Sequence, residues 1–291
     1  ETVDVLVKHG VSRAQITIDG PREIHDQRRP LHSGKSTFDR VFEGLQNAVG
    51  HMDVTLRVNV DRHTSDCVPE LLAQVRAHGL HDKIGLEFAP VFVEDLVGDD
   101  GNGIGCGHTD SQPVISVYSI GIDDAPLPDR EPVGLSGCLS GECFSNWEFS
   151  KIETGLYRNA LEQGFTHTKL PQKLPYACSA EAQNAYVIDS RGHLYKCWAT
   201  IGDDQHKIGD VFNGVPMSPN VIKWITRDAF SNHDTCMNCG VMPLCMGGCD
   251  YNERTNAGEP CTRLKYNLEE TLDLIYLKKH DLLQIELPLE V

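Results

Sequence analysis

CMNCGVMPLCMGGC, residues 236–249, is the stretch that decides the fold of this chain, because it spaces four cysteines as metal ligands are spaced. The two residues between Cys236 and Cys239 let both thiolates of a short loop turn toward one metal centre. Cys245 and Cys249 are three residues apart, so their sulfurs can be aimed at different centres. Gly240 follows Cys239, and Gly247 and Gly248 lie between Cys245 and Cys249, where glycine lets the backbone pass close to a bulky group.

Three more cysteines extend this array in both directions. Cys178 and Cys197 precede it, with Gly192 between them, and Cys261 follows it. The 11 cysteines of the chain thus include a cluster of seven, an odd number that complete disulfide pairing does not fit. A chain of 291 residues can also build a core without disulfide bonds. The region from Cys178 to Cys261 therefore predicts metal sites.

Spacing alone leaves zinc and iron–sulfur sites open. The four cysteines of residues 236–249 could form one tetrahedral zinc site. Zinc would leave Cys178, Cys197 and Cys261 unexplained. The spacing therefore favours iron–sulfur clusters over zinc, with disulfides third.

Composition and charge exclude several classes of function. The formal net charge is −16, which disfavours binding to nucleic acid or to an anionic membrane surface, since both need a basic face. No run of 18 apolar residues predicts a membrane span, and residues 1–4 do not begin a secretory signal. We therefore predict a cytoplasmic protein without nucleic-acid or membrane partners.

The first third of the chain alternates helical and strand patterns. Strands are predicted over residues 14–19, 54–60 and 84–93, with an amphipathic helix capped by Ser36 between the first two. This order predicts βαβ units and a parallel sheet, and three strands look like half of a larger fold. Residues 97–146, with a strand-like stretch at 114–122, read as a bridge. Helices are predicted over 151–163 and from Leu264 onward.

The complete cysteine pattern, with Gly192, resembles the signature of SPASM domains. These are C-terminal extensions of radical S-adenosylmethionine (SAM) enzymes that hold two auxiliary [4Fe–4S] clusters. The resemblance implies two ligand sets, which are Cys236, Cys239, Cys245 and Cys261 for one cluster, and Cys178, Cys197 and Cys249 for three irons of the other. For the fourth iron, either a distant residue such as Cys138 or Cys143 is the ligand, or the iron is open to a substrate thiolate.

The front of the chain resembles the barrel of the same enzymes. Residues 15–21 and the segment to Pro30 are similar to the fourth barrel strand and its loop, and residues 57–60 to the fifth strand. The resemblance implies a SAM site, whose predicted residues are Thr17, Asp19, Arg57 and Asn59. The alternative is that Thr17 is an ordinary strand residue and Asp19 a turn former.

The resemblance implies an α/β fold in which the C-terminal half of a partial (β/α)6 radical SAM barrel precedes a small α+β SPASM domain. The predicted divisions are the partial barrel at 1–96, a bridging region at 97–174, the auxiliary-cluster domain at 175–265, and a helix with tail at 266–291. The chain contains no Cys-x3-Cys-x2-Cys sequence and does not begin with Met. We therefore expect an N-terminal truncation, with the third, catalytic cluster upstream of this chain and its catalytic residues unknown.

The implied function is that of an oxidoreductase which modifies a peptide or protein after a SAM-derived radical abstracts a hydrogen atom. Its expected partners are that substrate and an electron donor such as ferredoxin or flavodoxin. Trp198 stands where sulfatase-maturing members have an acidic residue, so the sequence is more like the peptide-crosslinking members. The alternative hypothesis is a non-catalytic module that binds zinc or a cluster and recruits peptides.

Overall fold

A computed structural model describes residues 2–31, 33–91, 144–166, 171, 173, 175–228, 234–255 and 260–280. These residues divide into two compact units. The first contains the described residues 2–91, 144–166 and 266–280, and the second contains those from 171 to 265. The strand predicted at 114–122, most of the predicted bridge, and both Cys138 and Cys143 lie outside the described residues.

The first unit is built on a parallel sheet. Its strands are β1 (Arg13–Thr17), β2 (Asp53–Val60) and β3 (Gly85–Pro90), in that spatial order and all parallel. Its helices are α1 (Thr2–Lys8), α2 (Arg22–Arg28), α3 (Phe38–Ala48), α4 (Val68–Ala77) and α5 (Asn146–Glu162). The chain therefore has the predicted mixed α/β architecture with a parallel sheet.

The two faces of the sheet differ in chemistry. Along β2, Val54, Leu56, Val58 and Val60 are buried, and they join one apolar core with residues of α3, α4 and α5. The alternate residues of β2 are polar: Thr55, Arg57 and Asn59 are half-buried, and Asp53 is exposed. Side chains of a strand alternate between faces, so one face of the sheet supplies the core and the other presents polar groups.

The N-termini of two helices differ from the prediction. Ser36 was predicted to cap α3, but Thr37 holds the N-cap position, and Asp26 Oδ1 accepts the N–H groups of Thr37 and Phe38 at 2.8 Å each. The cap comes from α2, a helix that the sequence did not predict. Helix α5 begins at Asn146, before the predicted start at 151, because Ser145 and Glu148 form a reciprocal capping box.

The second unit combines short strands and short helices. Strands β4 (Val187–Ile188), β5 (His193–Tyr195) and β6 (Gly209–Asp210) form an antiparallel sheet. The helices are α6 (Pro219–Ile225), α7 (Asp234–Met237), α8 (Met242–Cys245) and α9 (Asp250–Thr255), and α10 (Leu264–Lys279) begins here and continues into the first unit. Gly192 has a φ of +82° in the turn between β4 and β5, a conformation that glycine adopts without strain.

None of the helices in the described ranges combines the length and the apolar character that crossing a bilayer requires.

Candidate functional site

Three of the seven cysteines, hereafter the trio, lie close together in the second unit. Cys178 precedes a short turn at residues 179–181, Cys197 follows β5, and Cys249 precedes α9. Burial raises the pKa of Cys197 to about 11, and the neighbouring thiols of Cys249 and Cys178 also raise it. Thiols that influence one another in this way are near neighbours, although Cys178 and Cys249 are 71 positions apart in the sequence.

The other four cysteines form a second group, hereafter the quartet. Cys236 lies in α7, Cys239 two residues after that helix, Cys245 at the end of α8, and Cys261 shortly before α10. Burial raises the pKa of Cys236, and the thiols of Cys261, Cys245 and Cys239 raise it further. The structure thus brings together the same residues that the resemblance assigns to each ligand set, while cluster ligation itself stays a prediction.

Backbone N–H groups are aimed at the sulfurs of the trio. The N–H of Ala180 donates to Cys178 Sγ at 3.5 Å, and the N–H of Ala199 donates to the thiol of Cys197. Burial raises the pKa of Cys249, while N–H groups of α9 that donate to its thiol lower it. Such hydrogen bonds stabilise thiolate ligands and help to set the potential of an iron–sulfur cluster. The trio therefore fits an iron–sulfur group.

The quartet has a cation at one of its sulfurs. Lys265 Nζ donates to Cys261 Sγ at 3.2 Å, a charge-assisted hydrogen bond. In the described ranges, no three side chains of His, Cys, Asp or Glu are close enough to hold a single metal ion. A closed zinc site needs four ligands about 2.3 Å from one ion, whereas a four-iron cluster spreads its thiolates around a larger body.

A glycine pair connects the two groups of cysteines. Gly247 and Gly248 have φ values of +90° and +70°, which turn the chain sharply between Cys245 and Cys249. The N–H of Cys249 then donates to Pro260 O at 2.8 Å, so a trio loop lies against the residue that precedes Cys261 of the quartet. The close approach depends on the absence of a side chain at Gly248.

The predicted SAM residues lie together on the polar face of the first unit's sheet. Arg57 Nε donates to Asn59 Oδ1 at 2.9 Å, and Asn59 Nδ2 donates to Asp19 Oδ1 at 3.0 Å. Thr17 is the register partner of Arg57 on the neighbouring strand, so both project from the same face. All four residues lie toward the carboxyl ends of β1 and β2, where parallel-sheet proteins place their sites.

Two residues that sequence reasoning missed complete this polar network. Glu87 on β3 accepts from Arg57 Nη1 at 3.3 Å and from Gln15 Nε2 at 2.9 Å. Arg29 forms an ion pair with Asp19. Glu87 could have been found by aligning the predicted strands β2 and β3, because their register pairs Glu87 with Arg57. Among the described residues, Arg57 Nη2 has no hydrogen-bond partner, which leaves one edge of the guanidinium for a ligand.

A buried histidine holds the backbone of Asp19, a member of this network. His25 is fully buried, and its Nδ1 accepts the N–H of Asp19 at 3.3 Å. Burial lowers the pKa of His25, so the ring is neutral and can act as this acceptor. The backbone of Asp19 is thereby held at the end of β1.

Comparisons with known proteins support the fold. No protein-family model and no curated protein matches the chain. Native anSMEcpe with bound AdoMet (S-adenosylmethionine) is 14% identical, with a TM-score of 0.55 over 97% of this chain and 71% of that one. Native anSMEcpe with bound AdoMet and the Cp18Cys peptide is 15% identical, with a TM-score of 0.53 over 97% and 72%. The complex with the Kp18Cys peptide is 14% identical, with a TM-score of 0.54 over 97% and 71%.

At these identities the likeness establishes the fold alone. The chain is similar in fold to AdoMet-bound anSMEcpe over nearly its whole length.

Proposed function

We propose that this chain is part of a radical SAM oxidoreductase that modifies a peptide or protein by hydrogen abstraction. In this proposal the trio and the quartet ligate two auxiliary [4Fe–4S] clusters. The observation that carries it is the separation of seven cysteines into two groups, within a fold similar to an AdoMet-bound enzyme.

The polar face of the sheet supplies the proposed AdoMet site. The open edge of the Arg57 guanidinium matches a carboxylate, and Glu87 and Asn59 hold the guanidinium in place. Thr17 would contribute its hydroxyl beside Arg57. When bound, AdoMet would supply the radical that removes the hydrogen atom, and the auxiliary clusters would take up the surplus electron. The chain has no Cys-x3-Cys-x2-Cys sequence, so residues outside it would hold the cluster that cleaves AdoMet.

A peptide or protein is the proposed substrate, because two of the similar structures contain Cys-peptides together with AdoMet. An electron donor such as ferredoxin or flavodoxin is the proposed redox partner, and the cytoplasm the proposed location.

The first test is the metal content of the protein purified without oxygen. We expect about eight irons and about eight sulfides per chain, because each [4Fe–4S] cluster contains four of each. The alternative hypothesis, a zinc-binding recruitment module, predicts one zinc and no sulfide. Iron and sulfide far below this level after anaerobic reconstitution would refute the two-cluster proposal.

Arg57→Lys tests the AdoMet site. Lysine keeps the charge but lacks the planar fork, so we expect AdoMet affinity to fall about tenfold to a hundredfold, the value of one strong charge-assisted hydrogen bond. Equilibrium dialysis of AdoMet with the cluster-loaded protein measures the change. Arg13→Lys is the matched control, because Arg13 is an exposed residue of β1 in the same sheet. Equal affinity of both variants would place the AdoMet carboxylate elsewhere.

A further inference from the structure

Arg227 is a buried cation at the centre of three acidic side chains in the second unit. Its side chain is only 4% exposed. Nη1 lies 2.8 Å from Glu181 Oε1, Nε lies 3.2 Å from Asp250 Oδ1, and Nη2 pairs with Glu253. A charge removed from water is tolerated only with partners of opposite charge, and here the three carboxylates provide them.

The same guanidinium also binds the glycine turn. Nη1 donates to Gly248 O at 2.8 Å, and Nη2 donates to Gly247 O at 2.9 Å, so both terminal nitrogens bind backbone carbonyls. These carbonyls belong to the segment between Cys245 and Cys249. Only a planar fork reaches two carbonyls and three carboxylates at once, which a lysine ammonium does not do.

The partners of Arg227 stand next to ligands of both cysteine groups. Glu181 lies three residues after Cys178, and Asp250 directly follows Cys249, so both adjoin the trio. Glu253 is near enough to the quartet for its charge to act on the Cys236 thiol. The buried Arg227 side chain therefore connects segments that adjoin both the trio and the quartet.

We infer that Arg227 is a positioning residue that fixes the 247–250 segment between the two cysteine groups and, by its charge, raises the reduction potential of the trio's cluster. The inference rests on the proposed function, in which the trio holds such a cluster. Reduction adds negative charge to a cluster, so a fixed cation close by favours the reduced state. The two roles of Arg227 can be tested separately. The position of the 247–250 segment depends on the planar guanidinium, whereas the reduction potential of the trio's cluster depends on the positive charge.

The test compares Arg227→Met, Arg227→Lys and Glu181→Gln in the full chain with two clusters. Redox titration followed by EPR gives the potential of each cluster, and chemical analysis gives iron and sulfide. We expect the Arg227→Met protein to contain less iron than the unaltered protein. Any trio cluster that it retains should have a more negative reduction potential. Arg227→Lys is expected to lose iron too, but to keep a trio potential closer to that of the unaltered protein.

Glu181→Gln keeps the inference testable even where the Arg227 variants fail to fold. It removes one negative charge and leaves one oxygen in place of the two that accept from Ala177 N–H and Arg227 Nη1, and with the negative charge gone we expect the trio potential to become more positive. Arg191→Met is the control, because Arg191 is exposed in the turn between β4 and β5. The inference is overturned by an unchanged trio potential in Glu181→Gln, or by unchanged iron content and potentials in Arg227→Met. An unaltered protein without iron and sulfide would instead refute the proposed function.

Discussion

Gly248→Ala is expected to abolish most iron binding and to unfold the cysteine loops of the second unit. A Cβ at this position would lie 2.8 Å from the carbonyl carbon of Pro260 and closer still to its oxygen. The φ of +70° is also strained for alanine. Because the obstacle is backbone, it cannot rotate away, and the combined cost is about 3 kcal/mol or more.

Gly240→Ala is the matched control for this substitution. Gly240 lies in the same cysteine-rich segment, but a Cβ there would meet no atom within 4 Å. Iron and sulfide content after anaerobic reconstitution, together with circular dichroism, distinguishes the two variants. A Gly248→Ala protein that retains its full iron content would show that the turn against Pro260 does not position the ligands.

Cys245→Ala and Cys249→Ala are expected to remove different clusters, although the two residues are only three positions apart. Cys245 belongs to the quartet and Cys249 to the trio, so each variant should lose about four of about eight irons. EPR of the reduced proteins should show complementary spectra, with the signal absent from one variant present in the other.

Cys67→Ala serves as the control, because Cys67 lies outside both groups and precedes α4 of the first unit. It should retain all of its iron. The same residual EPR spectrum in the Cys245 and Cys249 variants would contradict the division into trio and quartet.

Local periodicity predicted the parallel sheet, because alternate burial along β2 is visible in the order of its own residues. Helix α2 was missed because its residues carry no apolar stripe, and only His25 among them is buried. The cap of α3 was assigned to Ser36, since the actual acceptor, Asp26, lies on another element. Where an interaction is local the sequence pattern predicts it, and where the partner comes from elsewhere it does not.

The candidate site divides in the same way. Cysteine spacing predicted the candidate ligands, because ligand loops are short and their residue types are restricted. Arg227 had no such signal, since Glu181 lies 46 residues before it and Glu253 26 residues after it. Glu87 likewise reaches Arg57 across 30 residues and is recognised only when β2 and β3 are placed side by side.

Successive residues of β2 are expected to be under two different selective constraints, which alternate along the strand. At Leu56 and Val58 a polar replacement would be rejected by folding, because both side chains are fully buried in the core. At Arg57 and Asn59, where we propose that AdoMet binds, many residue types would be compatible with folding, and the expected effect of replacement is the loss of ligand binding. A mutational map of this strand would therefore alternate, residue by residue, between loss of abundance and loss of activity at full abundance.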